Sequence, residues 1–121
     1  MAVYKFTGAD VAGLATNANY LAGDKISVAS YARTIQALAL VSLQNTPAIG
    51  DGEWRLYAGA QLLGQGTSVV GLTTGAEVKT PDDFSPINIQ IPAGQTISLE
   101  VTNLESGVTH SFRAYFLLDR I

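Results

Sequence analysis

Two runs of alternating apolar and polar residues constrain the fold more than any other feature of this 121-residue chain. The first run extends from Ile87 to Ile91 and the second from Ile97 to Val101, and Pro92-Ala93-Gly94 separates them. Alternation with a period of two is typical of a strand with one buried face, and Pro and Gly mark turns. The pattern predicts two strands that pair antiparallel across this turn.

Other short segments repeat the same strand-and-turn pattern along the chain. Val3 to Phe6 is an apolar run that we expect to form an edge strand. Residues 110–119 form the last predicted strand, and its alternation places four residues on one face, namely Phe112, Ala114, Phe116 and Leu118. Short strands punctuated by Gly and Pro indicate an all-β fold, an antiparallel β-sandwich or a barrel, as a single domain over residues 1–121.

Residues 8–24 are rich in Ala, Gly and Asn, and such small side chains bury little apolar surface. We expect this segment to be an extended N-terminal arm or a long loop. Residues 25–44 fit two patterns. As a helix, Tyr31, Ile35, Leu38 and Ser42 would share a face. As strands, one face would carry Ile35, Ala37, Ala39, Val41 and Leu43. We favour strands, because Asn45-Thr46-Pro47 then reads as the exit into a turn.

Two predicted strands carry large apolar residues on both faces. In addition to its first face, the residue 36–44 run has Leu38 and Leu40, and the last strand has Tyr115 and Leu117. A strand with one solvated face would be polar at these positions. Either the strands are buried on both sides, or these residues form an interface between subunits.

Composition excludes several classes of protein. Hydrophobic residues make up 47% of the chain and charged residues 14%, so the chain is not of the disordered type. The net charge is −3 and the seven Lys and Arg residues are dispersed, which makes nucleic acid an unlikely main ligand. The absence of cysteine excludes disulfides, thiolate metal sites and cysteine nucleophiles. We see no signal peptide and no apolar stretch of transmembrane length.

Few residues suggest chemistry, and we expect no enzyme and no cofactor. His110 is the only histidine and lacks a nucleophile motif around it, so we interpret it as solvent-facing or turn-capping. Asp82 and Asp83 are the candidate ligands for calcium, although Pro-Asp-Asp is also a common turn. Trp54 shares a face with Leu56 and is interpreted as core. Tyr57, on the opposite face beside Arg55, is the candidate for contact with a ligand.

The segment from Ile91 to Asn103, followed by the aromatic strand from His110 to Asp119, resembles small β-sandwich virion proteins. These are coat, minor capsid and decoration subunits of bacterial viruses, and the likeness covers mainly residues 87–119. The resemblance implies a jelly-roll-like fold, self-assembly or binding to a symmetric lattice, and a location in the virion after synthesis in the host cytoplasm. It supplies no catalytic residues.

We therefore expect a structural protein whose partners are further copies of itself and other virion proteins. The alternative is a carbohydrate-binding or adhesive module that uses Tyr57. The apolar residues expected at the subunit contacts lie on the two doubly apolar strands and in the N-terminal arm, and they are Tyr20, Leu21, Leu38, Leu40, Tyr115 and Leu117.

Overall fold

The computed structural model describes residues 2–22, 28, 31–42, 52–68 and 84–120. Within these residues every regular element is a β-strand, and the strands form two antiparallel four-stranded sheets. In chain order the strands are β1 (Ala2–Thr7), β2 (Thr16–Asn17), β3 (Arg33–Ser42), β4 (Gly52–Ala58), β5 (Gln61–Thr67), β6 (Ser85–Ile91), β7 (Ile97–Asn103) and β8 (Phe112–Arg120).

The strand order is that of an eight-stranded jelly roll. The first sheet has the order β1-β8-β3-β6 and the second sheet has the order β2-β7-β4-β5. Among consecutive strands, β4 and β5 alone are neighbours in one sheet, and each other pair is divided between the two sheets. Two sheets interleaved in this way define a double Greek key. The predicted all-β sandwich is confirmed, with β1 as an edge strand.

The two alternating runs near the C-terminal end are both strands, but they do not pair with each other. β6 pairs with β3 in the first sheet, whereas β7 lies between β2 and β4 in the second. The turn between them, with Gly94 at φ +79°, therefore carries the chain from one sheet to the other. The predicted pairing is wrong because both runs send their apolar residues into one core from opposite sheets.

Side chains of both sheets fill the core between them. Phe112, Ala114 and Phe116 of β8 are fully buried there, as the alternation of the last strand predicts. Trp54 of β4 is also fully buried, which confirms its interpretation as core. Its indole lies under β5, where a Cβ on Gly66 would stand 3.0 Å from the ring. The glycine thus leaves room for the largest side chain of the core.

β3 is a strand, which confirms that interpretation over a helix for residues 33–42. Its pairing with β8 shifts between Ile35 and Ala37, so Gln36 is an extra residue that makes a β-bulge. After the bulge, Leu38 and Leu40 point into the core on the same side as Ile35.

The bulge overturns the predicted shared face of β3. Ala39 and Val41 lie on the outer side of the first sheet, where they pack with Tyr115 and Phe84. Strict alternation could not anticipate this, because one inserted residue exchanges the two faces of everything that follows. Leu43, the last member of the predicted face, lies outside the described residues.

Residues 8–22 lie along the sandwich of their own chain. Val11 forms a bridge with His110, β2 pairs with β7, and the Asn103 N–H donates to the Ala15 carbonyl at 3.0 Å. Tyr20 and Leu21 are buried in the core. Residues 23 and 24 of the expected arm lie outside the described residues. The described part is therefore a folded connection with its own short strand rather than a free arm.

Tyr20 fixes this connection to the first sheet. Its hydroxyl accepts a hydrogen bond from the Phe112 N–H at 2.9 Å and donates to the Ala9 carbonyl at 2.8 Å. Its ring meets Phe6 and Phe112 edge to face, with centroids 6.1 and 6.5 Å away. Burial raises the pKa of the Tyr20 hydroxyl above its ordinary value. Polar and aromatic contacts together hold the segment in place.

Candidate functional site

The outer surface of the second sheet carries mainly polar side chains. Alternation along β4, β5 and β7 turns every second side chain outward, and the strand register arranges these side chains in rows. We define the polar sheet face as these outward residues, which are Thr16, Glu53, Arg55, Tyr57, Leu62, Gln65, Thr67, Ser98, Glu100 and Thr102.

Arg55 lies at the centre of the polar sheet face, held by neighbours on three strands. Its Nη1 is 3.3 Å from Glu100 Oε1, its Nη2 is 3.4 Å from Glu53 Oε1, and its Nε donates to Gln65 Oε1 at 3.4 Å. Exposed ion pairs of this kind contribute only about 0–1 kcal/mol to stability. The arrangement instead presents a guanidinium between two carboxylates in a fixed position on the surface.

A shallow, open depression of about 390 Å³ lies beside this cluster, lined by Glu53, Arg55, Gln65, Gly66 and Thr67. Its walls offer hydrogen-bond donors and acceptors together, a combination that suits a ligand carrying several hydroxyl groups. Both carboxylates lie within 3.4 Å of the same guanidinium.

Tyr57, the residue predicted to contact a ligand, lies on this same face. It stands half-buried opposite Ser98 on β7 and Leu62 on β5, and Leu62 is 45% exposed. The structure thus brings the tyrosine onto one surface with the Arg55 cluster. Sequence reasoning named Tyr57 and Arg55 but not Glu100, because the pairing of β4 with β7 joins residues far apart in the chain.

His110 does not face solvent, contrary to expectation. It is 5% exposed, with Nδ1 3.1 Å from Ser42 Oγ and Nε2 3.2 Å from Asn103 Oδ1. The Asn103 amide has only one possible orientation, because its Nδ2 donates to two carbonyl oxygens, those of Val11 at 2.9 Å and Val108 at 2.7 Å.

This orientation determines which atom donates between His110 and Asn103. Asn103 Oδ1 must accept, so His110 Nε2 carries a proton, while Nδ1 lies 3.1 Å from the Ser42 hydroxyl and 3.4 Å from the Ser111 carbonyl oxygen. The order serine–histidine–asparagine resembles that of a catalytic triad. Ser42 is fully buried, however, so its hydroxyl is closed to a substrate. The cluster is a structural hydrogen-bond network at one end of the sandwich.

The predicted subunit-contact residues lie mainly inside their own subunit. Five of them are buried, namely Tyr20, Leu21, Leu38, Leu40 and Tyr115, and Leu117 is half-buried. The side chains of these five residues are covered by their own chain. Of the two explanations left open for the doubly apolar strands, the structure supports burial on both sides.

Within the described ranges, no group of three or more His, Asp or Glu side chains is placed to hold a metal ion. The candidate calcium ligands Asp82 and Asp83 lie outside those ranges. The same part of the chain has no helix of sufficient length and apolarity to span a membrane. Comparison of the chain with models of protein families, with curated proteins and with solved structures gives no match in any of the three.

Proposed function

We propose that the chain is a self-assembling structural subunit of a virion, of the class of bacteriophage coat, minor capsid or decoration proteins. The observation that carries the proposal is the strand order β1-β8-β3-β6 and β2-β7-β4-β5. Viral capsid subunits are prominent among proteins with this jelly-roll arrangement. The support is an analogy of fold, strengthened by the likeness of residues 87–119 to virion proteins. The proposed partners are further copies of the chain and other virion proteins.

Contacts between subunits would use the surface rather than the buried residues first expected to make them. Exposed apolar side chains stand on two edge strands, Val3 on β1 and Leu62 on β5. Burial of apolar surface contributes about 25 cal/mol per Å². A modest contact therefore becomes strong when it is repeated around a closed particle. The low share of charged residues, 14%, leaves little repulsion to overcome.

Solution mass tests the proposal. We expect light scattering on a sizing column to give a mass that rises above 12.7 kDa to a defined oligomer, and negative-stain images of that peak to show uniform particles. A monodisperse monomer up to millimolar concentration would contradict self-assembly and favour the second candidate function.

The second candidate is a carbohydrate-binding or adhesive module. The observation that favours it is the position of Tyr57 on the polar sheet face, beside the depression at Arg55 and Gln65. Aromatic rings stack against the apolar faces of sugars, while charged and amide groups hydrogen-bond to their hydroxyls.

A glycan array tests this second candidate. We expect binding to one glycan class in the natural chain and at least tenfold weaker binding in Tyr57→Ala, about 1.4 kcal/mol. Tyr31→Ala is the matched control, because Tyr31 is an exposed tyrosine that lies outside the polar sheet face. Equal binding by both variants, or no binding by the natural chain, would reject the module.

A further inference from the structure

The two described sheets end in four edge strands, β1 and β6 in the first and β2 and β5 in the second. An edge strand offers unpaired backbone N–H and C=O groups to any extended chain that approaches it. Proteins usually block such edges with charges, proline, bulges or very short strands.

Three of the four edges carry such a device. β2 has only two residues. β6 contains Pro86 and is bent at Asn88, where φ is +55°. β1 carries the exposed Lys5 near its centre. Each feature hinders the addition of another strand, so these edges are protected against pairing with a neighbour.

β5 carries no charge and no proline, and its one bulge, at Leu63, leaves Gly64 to Thr67 in regular pairing with β4. Its seven residues run from Gln61 to Thr67, and among the described residues β5 pairs with β4 alone. Leu62, Gln65 and Thr67 on its outer face are exposed. Among the described residues, the neighbouring strand β4 carries Glu53 and Arg55, which form an ion pair with each other.

We propose that β5 pairs antiparallel with β5 of a second copy, which joins the two second sheets into one continuous eight-stranded sheet across a two-fold axis. The inference rests on the proposed self-assembly and names its contact. A two-fold contact places a surface against itself, so a charge near the axis would meet its own like charge. The neutral edge of β5 satisfies this requirement.

The face pattern of β5 indicates the position of the axis. The pairing with β4 shifts between Leu56 and Tyr57, so regular alternation holds only beyond Leu63. From Gly64 the residues point inward and outward in turn, and the buried Ser68 continues the pattern. If the two-fold axis passes through Gly66, each of the residues 64 to 68 finds a partner among the same five residues of the second copy. Inward residues then oppose inward residues, and outward residues oppose outward ones; no other position of the axis pairs all five. Gln65 then stands opposite Thr67 of the second copy.

The absence of cysteine permits a direct test of this register. Gln65→Cys and Thr67→Cys are purified separately, mixed at a concentration where the natural chain is oligomeric, and oxidised mildly. Opposed residues of antiparallel strands have Cα atoms about 4.5–5.5 Å apart, within the range a disulfide spans. We expect roughly tenfold more covalent dimer from the mixture than from either variant alone, because identical positions lie farther apart than opposed ones.

Val3→Cys mixed with Gln65→Cys is the control, since Val3 is equally exposed but lies on the other sheet. If light scattering shows an oligomer and the Gln65→Cys and Thr67→Cys mixture gives no more dimer than this control, the β5 contact is overturned and the proposed function stands. If the natural chain is a monomer at every concentration, both are overturned. Unchanged melting temperatures of the variants establish that the fold is intact.

Discussion

The side chain of Asn103 joins two connections of the chain at one end of the sandwich. Its amide donates to the carbonyls of Val11 and Val108, and its oxygen accepts from the N–H of Glu105 and from His110. It therefore holds the connection between β1 and β2 against the connection between β7 and β8. No other side chain of similar size could supply two donors and one acceptor at these positions.

Asn103→Ala should lower the free energy of unfolding by about 2–4 kcal/mol, because the buried groups it serves are left without partners. Urea unfolding at neutral pH measures the change. Thr102→Ala is the matched control on the same strand, where the hydroxyl makes only an exposed contact to Thr16 at 2.8 Å. That control should cost at most about 0.5 kcal/mol. Equal effects of the two substitutions would mean that the buried network adds no more to the free energy of unfolding than an exposed hydrogen bond does.

Tyr20 predicts a specific dependence of stability on pH. Burial raises its pKa above the ordinary value of 10.0, so the unfolded chain loses the phenolic proton first as the pH rises. The contribution of the neutral hydroxyl is therefore complete below pH 10 and is lost progressively above it. Tyr20→Phe should be less stable than the natural chain by about 1–2 kcal/mol near neutrality.

The difference between the natural chain and Tyr20→Phe should then narrow at alkaline pH, because phenylalanine cannot ionise. Urea midpoints at about pH 8 and about pH 10.5 measure it. A difference that stays constant between these two conditions would show that the raised pKa of Tyr20 does not contribute to stability.

Among the elements, β3 shows how one extra residue decides which side chains of a strand face the core. Gln36 stands opposite no separate residue of β8, and beyond it Leu38 and Leu40 continue into the core. Removal of Gln36 leaves the inward and outward order of these residues unchanged. Removal of Ala39 exchanges the faces of Leu40 and Val41.

Deletion of Gln36 should therefore be tolerated far better than deletion of Ala39. We expect a cooperative urea transition for the first variant, and a loss of more than about 4 kcal/mol, or no folded state, for the second, since a buried leucine is expelled. The two variants have the same length and lie three residues apart, so each is the control for the other. Equal stability of the two would mean that β3 slips freely along β8.

Local pattern could predict the strands but not their partners. The alternation of Phe112, Ala114 and Phe116 is a property of one strand, and the structure follows it. The pairing of Arg55 with Glu100 depends on which strands become neighbours, and that is settled by packing across the whole core. The environment of His110 was missed for the same reason, since Ser42 lies 68 positions away. The bulge at Gln36 has no local signal in a run where both faces are apolar.

At the scale of the molecule, the first and last described strands contribute unequally to the stability of the fold. β8 lies between β1 and β3, whereas β1 has β8 as its only partner among the described strands. β8 contributes the fully buried Phe112 and Phe116, while Tyr4 and Phe6 of β1 are only half-buried. A buried phenylalanine is worth about 3–5 kcal/mol, against a total stability of about 5–15 kcal/mol for a domain.

A variant that ends at Ser111 should therefore not fold, whereas a variant lacking residues 1–7 should keep a cooperative transition at lower urea. Amide NMR spectra distinguish the two outcomes, because a folded variant gives dispersed signals and an unfolded variant does not. Dispersed spectra from the variant without β8 would contradict the assigned strand order, in which β8 connects β1 to β3.

The antiparallel pairing of β1 with β8 places Ala2 opposite Leu118 and Thr7 opposite Arg113. Both ends of the described chain consequently emerge at one pole, and the connections 8–15 and 104–111 lie at the other. Attachment of either end to a support would orient the strands away from the support and expose those two connections at the far end. A protein inserted into either connection would extend along the long axis of the sandwich. The outer faces of both sheets would then stay free for contact with neighbouring molecules on the same support.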